Sequence, residues 1–260
     1  HHQEIRWFRP TVGVSMGLGE GWQVQANLPV DLKILSIDYS LDGAPYDPPY
    51  AGIHHRDETL FGISDPALSV QRYLGLPADL ILGMSLGTTI PLGKTEADPF
   101  ALAAEGKEHQ HFQRGTGTFV PSGRIDLYWM GVRWRAMGWA STVQPLYESE
   151  HGYTPASNVS YGLTAGYRLT PDTQLLVSSE AQHIGPEAWG GDISNTPGRD
   201  LVMGSLGVLH VLKPGLVLQA RLRATPWQRT RSVHTEDEMV QRFLVGAGVS
   251  WTPGSVSDDP

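Results

Sequence analysis

The chain has 260 residues, 40% of them apolar, with 30 Gly, 19 Pro and no Cys. Gly and Pro at this density disfavour a helical fold, and the lack of Cys excludes disulfides, thiolate metal sites and Cys nucleophiles. The formal charge of −8, from 19 basic and 27 acidic residues without a basic cluster, argues against nucleic acid as a partner. The longest nearly unbroken apolar run, 243–249, is far shorter than the ~20 residues of a membrane-spanning helix. No secretory signal opens the chain, which is expected of a cytosolic, processed or truncated sequence.

Period-two alternation takes the place of a helical signal. In chain order it predicts strands over 10–18, 22–30, 63–74, 82–87, 119–130, 134–146, 159–169, 174–183, 201–212, 216–223 and 243–251. The clearest is 159–169. There Val159, Tyr161, Leu163, Ala165, Tyr167 and Leu169 share one face, and Ser160, Gly162, Thr164, Gly166 and Arg168 share the other. The alternation is weaker at 63–74, 119–130, 134–146, 174–183 and 201–212.

The ten connections alternate strictly in length. Short ones fall near 19–21, 75–79, 131–133, 170–173 and 213–215; long ones span 36–60, 92–116, 147–157, 184–200 and 225–239. This alternation marks an all-β transmembrane antiparallel β-barrel of the bacterial outer membrane, with short periplasmic turns and long external loops. A soluble sandwich would mix its loop lengths and expose Lys and Glu. Here the polar faces carry Gly, Ser, Thr and Gln with scattered Arg, as suits a crowded aqueous lumen. Single-chain bacterial barrels have even strand numbers. The expectation is therefore about twelve strands, eleven of them visible, with a first strand upstream of His1. The barrel domain is expected over 1–252 and a periplasmic tail over 253–260. Aromatic girdles are expected from Trp22, Tyr167 and Trp251 on the periplasmic side and from Tyr147 and Trp227 on the outer side.

Several segments resemble a known family. They are GWQVQANLP at 21–29, GISDPALSVQRY at 62–73, LGMSLGTTIPLG at 82–93, GTGT at 115–118 and GYRLTP at 166–171. In these the chain is similar to the outer-membrane transporters grouped as the meta-pathway phenol-degradation family. The resemblance implies a barrel in the outer membrane and, as solutes, aromatic compounds.

No enzyme motif is present: no nucleophile elbow, zinc-protease signature, phosphate loop or dinucleotide fingerprint. His183 with Ser178 or Ser179 could imitate an outer-wall hydrolase, but ~13–17 Å of strand separates them. The stronger candidates line the lumen: Arg168, Glu180, Arg221, Arg223, Arg242 and Asp126, with Arg9 as a further member. Exposed guanidiniums would favour small anions or aromatic carboxylates. Guanidiniums paired with Glu180 or Asp126 would instead brace the wall. Nine of ten His fall at external ends or loops. Of these His54, His55, His109 and His111 form the one candidate metal set, for Zn²⁺ or Cu²⁺; no other cofactor is expected. The expected function is a passive outer-membrane channel for small organic, aromatic or anionic molecules, set in lipid and lipopolysaccharide. The alternative is a structural or partner-binding barrel with a plugged lumen and metal-binding loops, meeting a protein at either end.

Overall fold

The computed structural model describes residues 2–46, 57–109, 111–193, 198–231 and 240–252. The chain opens with β1 (His2–Phe8), β2 (Thr11–Gly19) and the long β3 (Trp22–Asp38). A small hairpin of β4 (Ser40–Leu41) and β5 (Ala44–Pro45) precedes β6 (Glu58–Ile63), β7 (Ala67–Leu76) and β8 (Leu80–Thr89). Next come α1 (Pro99–Ala104), β9 (Pro121–Met130) and β10 (Trp134–Val143). β11 (Tyr153–Thr154) is followed by β12 (Asn158–Arg168) and β13 (Thr173–Ile184). β14 (Ala188–Trp189) and β15 (Asp192–Ile193) lead into β16 (Arg199–Lys213), β17 (Leu216–Thr230) and β18 (Phe243–Trp251). The long external connections are L1 (39–57), L2 (90–120), L3 (144–157), L4 (185–198) and L5 (231–242).

Thirteen strands join in one antiparallel sheet. β1 and β2 lie end to end along one edge of β3, and β6 and β7 along its other edge. The interruptions fall at Arg9-Pro10 and Ser64-Asp65-Pro66, where a proline cannot donate to a ladder. The wall thus runs as eleven staves in sequence order. That is the number the alternation gave, although His2–Phe8 was not foreseen as strand. The first and last staves run the same way. Among the described residues no ladder joins them, and β2 and β18 are exposed along almost their whole length. An antiparallel closure of this seam takes one further strand.

β17 extends well beyond the stretch expected, β16 only slightly, and L5 shortens accordingly. Pro226 reads as a strand breaker in sequence. It is tolerated because the ladder shifts register between Val202 and Gly204, opposite Thr225 and Pro226, so no N–H is required there. The short turns need left-handed residues. Gly21, at φ +78°, lies so close to Tyr73 O that any Cβ there would overlap it.

The two faces are the reverse of a water-soluble sandwich. Val159, Tyr161, Leu163 and Ala165 of β12 are exposed on the outside, while Ser160, Gly162, Thr164 and Gly166 face inward and are covered. Val14, Leu86, Leu206 and Val245 are likewise exposed on the outer wall. The buried set inside includes Asp31, Asp126, Ser160, Gln174 and Ser205. Aromatic rings gather at the periplasmic rim. Trp22 adjoins the 20–21 turn, Trp134 stacks with Tyr167 at 4.7 Å, and Trp251 pairs with Leu216. At the other end Trp227 shares a lateral row with Tyr161 through Ala181 and Val202. Tyr147, also expected in that outer belt, is exposed, and its hydroxyl accepts a hydrogen bond from Phe119 N in L2 at 2.9 Å.

Candidate lumen site

The inner face is polar from β3 to β9. Gln71 Nε2 donates to Gln25 Oε1 at 2.9 Å, and Tyr73 OH donates to Gln71 Oε1 at 2.8 Å. Asp126, buried, takes Arg124 through both carboxylate oxygens, with Nη2 at 2.6 Å and Nε at 2.9 and 3.1 Å. The Arg124 guanidinium also lies 4.4 Å from the Trp139 ring centroid. Asp126 is therefore a bracing residue, and its partner is an arginine that the sequence reading did not single out. The two stand two apart on one strand, so the period-two rule places both on one face.

Glu180 is engaged as well: Arg223 Nη2 lies 3.2 Å from its Oε2. Arg221 and Arg242 share the inward register with Arg223, and Arg242 O accepts from Thr225 N at 3.0 Å. Arg168 is inward in register at the periplasmic end of β12 and exposed. Among the described residues no carboxylate pairs with Arg221, Arg242, Arg168 or Arg135. Arg135 and Arg221 belong to one lateral row, which runs Arg135, Gly166, Leu176, Gly207, Arg221, Gly246 across β10, β12, β13, β16, β17 and β18. Three of its six members are glycine, so the two guanidiniums project over a low floor. Four strand spacings put them about 19 Å apart along the wall.

At the external end, loops fold against the inner face. Asp65 holds L2: its Oδ1 accepts from Gly93 N at 2.8 Å, and its Oδ2 from Thr116 N at 2.7 Å and Thr116 Oγ1 at 2.8 Å. Lys33, inward on β3, donates from Nζ to Gln113 O at 2.7 Å, and Ser64 Oγ donates to Arg114 O. Gly93 and Gly115 touch backbone to backbone, and a Cβ on Gly115 would overlap the Gly93 carbonyl. L3 and L4 join this strap. Tyr153 packs on Trp189 at 4.8 Å, and β11, β14 and β15 form a small sheet. The Tyr153 hydroxyl hydrogen-bonds the side chains of Gln113 in L2 and Glu187 in L4, and burial pushes the phenol's pKa well up. Tyr153, Trp189, Val120, Leu35, Leu60, Leu201 and Met203 are the buried apolar core. A second anchor lies beside it: Arg9 grips the fully buried Asp31 at 2.6 and 2.8 Å, and Trp7 Nε1 donates to it at 3.0 Å.

The structure brings together two of the four metal candidates. The rings of His109 and His111 lie 5.1 Å apart, edge to face, and His109 Nδ1 donates to Lys107 O at 3.0 Å. His111 also meets Phe100 edge-on at 5.7 Å. Among the described residues no third His, Cys, Asp or Glu completes a metal-binding group there. His54 and His55 lie outside the described residues. Of the Ser–His candidates, His183 faces outward and bonds Asp200, Ser178 faces inward and donates no bond to it but accepts from Thr164 Oγ1 at 3.0 Å, and Ser179 shares the outer face of His183 four residues, about 13 Å, along β13.

This is the fold of outer-membrane β-barrels, whose place is the outer membrane of Gram-negative bacteria. The chain is similar in structure to an outer membrane channel from Pseudomonas putida F1, with TM-score 0.56 and 14% identity over 85% of this chain and 76% of that one. A loop-deletion variant of OmpT, an outer membrane protein of Vibrio cholerae, aligns over 96% of this chain and 99% of that one, with TM-score 0.41 and 9% identity. No family model matches the chain, and no curated protein matches it.

Proposed function

We propose that the chain is an outer-membrane channel that passes small organic anions by diffusion. The observation that carries this reading is the glycine-floored row with Arg135 and Arg221, whose guanidiniums take no carboxylate among the described residues. At about 4 Å in water one such charge attracts a monovalent anion by about 1 kcal/mol, about fivefold in local occupancy. Arg also suits carboxylates by its bidentate fork and aromatic rings by stacking. The resemblance to the meta-pathway phenol-degradation family favours aromatic acids within that class. In this reading chemistry is absent, and the wall only selects.

The buried junction of L2, L3 and L4 around Tyr153 supports a second reading, a barrel held shut by its own loops. Planar-bilayer recording of the purified protein separates the two. The channel reading expects discrete conductance with anions favoured. In the Arg135→Gln/Arg221→Gln variant the anion-to-cation permeability ratio falls toward unity. An unchanged ratio removes the filter role from these arginines, and the absence of any conductance favours the closed barrel.

A further inference from the structure

Most of the outer wall carries no charge, as hydrocarbon requires. Its external end on β13, β16 and β17 departs from this. There His183, Asp200 and Arg229 stand side by side in the pairing register, and Arg231 follows two residues beyond Arg229. Asp200 engages two of these side chains: its Oδ1 lies 2.7 Å from His183 Nδ1, and its Oδ2 3.5 Å from Arg231 Nε. Arg231 Nη2 also donates to Ile184 O at 2.6 Å. Arg229 is exposed and takes no carboxylate among the described residues. Two guanidiniums thus face one carboxylate among the described residues, leaving an excess of positive charge on a lipid-facing wall.

What lies beneath the cluster defines its setting. The next outward row toward the membrane centre is Tyr161, Ala181, Val202 and Trp227, both aromatic rings being exposed. Two residues further come Leu163, Ser179, Gly204 and Ala224, and then Ala165, Val177, Leu206 and Leu222. Charge gives way to an aromatic belt and then to small and aliphatic side chains, each step about 7 Å along the strands. That is the profile of one leaflet from headgroup to acyl chain. To one side of these rows an apolar groove of about 600 Å³ opens in the same wall, its lining running from Leu127 and Ala136 to Leu163, Ala165 and Val177.

We infer that Arg229 and Arg231, the latter positioned by Asp200, bind the phosphate of an outer-leaflet lipid whose acyl chains lie along the rows beneath. Arg is the cation suited to this, because its planar fork meets phosphate oxygens in pairs and sheds water more easily than an ammonium. This site stands apart from the lumen and holds whether or not the barrel conducts.

Native mass spectrometry of the full chain in detergent, titrated with diphosphoryl lipid A, tests it. The expected result is retained lipid, weakened at least tenfold by Arg229→Gln and further by Arg229→Gln/Arg231→Gln. The same lipid after phosphatase treatment should bind no better than the double variant does. Arg231 contacts Ile184 and Asp200, so its loss could unsettle the strand end. Arg229→Gln removes no such contact among the described residues and decides alone if the double variant fails to fold, as judged by heat-modifiable electrophoretic mobility. Equal affinity for phosphorylated and dephosphorylated lipid overturns the proposal. So does displacement of the lipid by millimolar inorganic phosphate, which would mark a free-anion site. Bilayer conductance should be the same in Arg229→Gln and the parent, keeping this outcome separate from that of the channel reading.

Discussion

Asp65→Ala is expected to release L2 from the wall and to change conductance more than any substitution of a lumen arginine. The carboxylate is buried and receives three hydrogen bonds from L2: Gly93 N, Thr116 N and Thr116 Oγ1. Hydrogen bonds to a charged acceptor contribute about 1.5–3 kcal/mol each, and the freed amides recover part of this by taking up water. A net loss of about 3–5 kcal/mol in the docking of L2 follows. Lys33 and Ser64 hold only carbonyls of the same segment and cannot keep it seated. Single-channel conductance should rise, and trypsin should cut faster at Arg114, which is half-buried while the loop is docked. Asp65→Asn keeps one acceptor oxygen for the two Thr116 donors or for Gly93, and should fall between. Parent-like conductance together with parent-like trypsin resistance in Asp65→Ala would show that the strap is held elsewhere.

The same residue shows what the sequence could reveal and what it could not. Period two is a local signal, and it placed 159–169 almost on β12, with Leu163 out and Thr164 in. It also set Arg221, Arg223 and Arg242 on one face, because same-face neighbours recur every second residue. The Asp65 bonds join residues 51 apart in sequence, and no spacing rule connects a strand break to a glycine-rich loop at that distance. Read alone, Ser64-Asp65-Pro66 is turn chemistry and 115–118 is a flexible run. In the fold each explains the other: the strand must break to present the carboxylate, and the loop must be bare at Gly93 and Gly115 to come close enough to reach it.

Arg135 and Arg124 illustrate a second blind spot. Both lie where Trp, Tyr and Met occur on both faces of the strand, so alternation in hydrophobicity blurs. Trp139 faces inward under the Arg124 guanidinium, an aromatic ring doing polar duty that a hydropathy pattern counts as lipid-facing. β1 was hidden for a related reason. Trp7 and Arg9 turn inward to Asp31, while Phe8 points outward, so neither face is uniformly apolar. The signal that remains is chemical: an Arg beside a Trp, with one buried Asp to receive both donors.

Leu163→Arg should destabilise the protein by about 2–4 kcal/mol, although Leu163 is 67% exposed and touches little of the protein. Its position decides this. It is the middle residue of β12, on the outer face, and its lateral neighbours are Gly138 and Ser179 on one row, with Tyr161 and Ala165 on either side along the strand. Nothing there can pair with a guanidinium, and both strand ends are too far for the side chain to reach a headgroup. In a water-soluble protein a substitution this exposed stays within about 0.5 kcal/mol. Thr164→Arg, one residue on and facing the lumen, meets water and should cost less than Leu163→Arg while altering conductance. Urea unfolding in phospholipid vesicles, followed by tryptophan fluorescence, measures the difference. A Leu163→Arg cost below about 0.5 kcal/mol would mean that this wall does not face hydrocarbon, and would undo the membrane reading, the channel and the lipid site together.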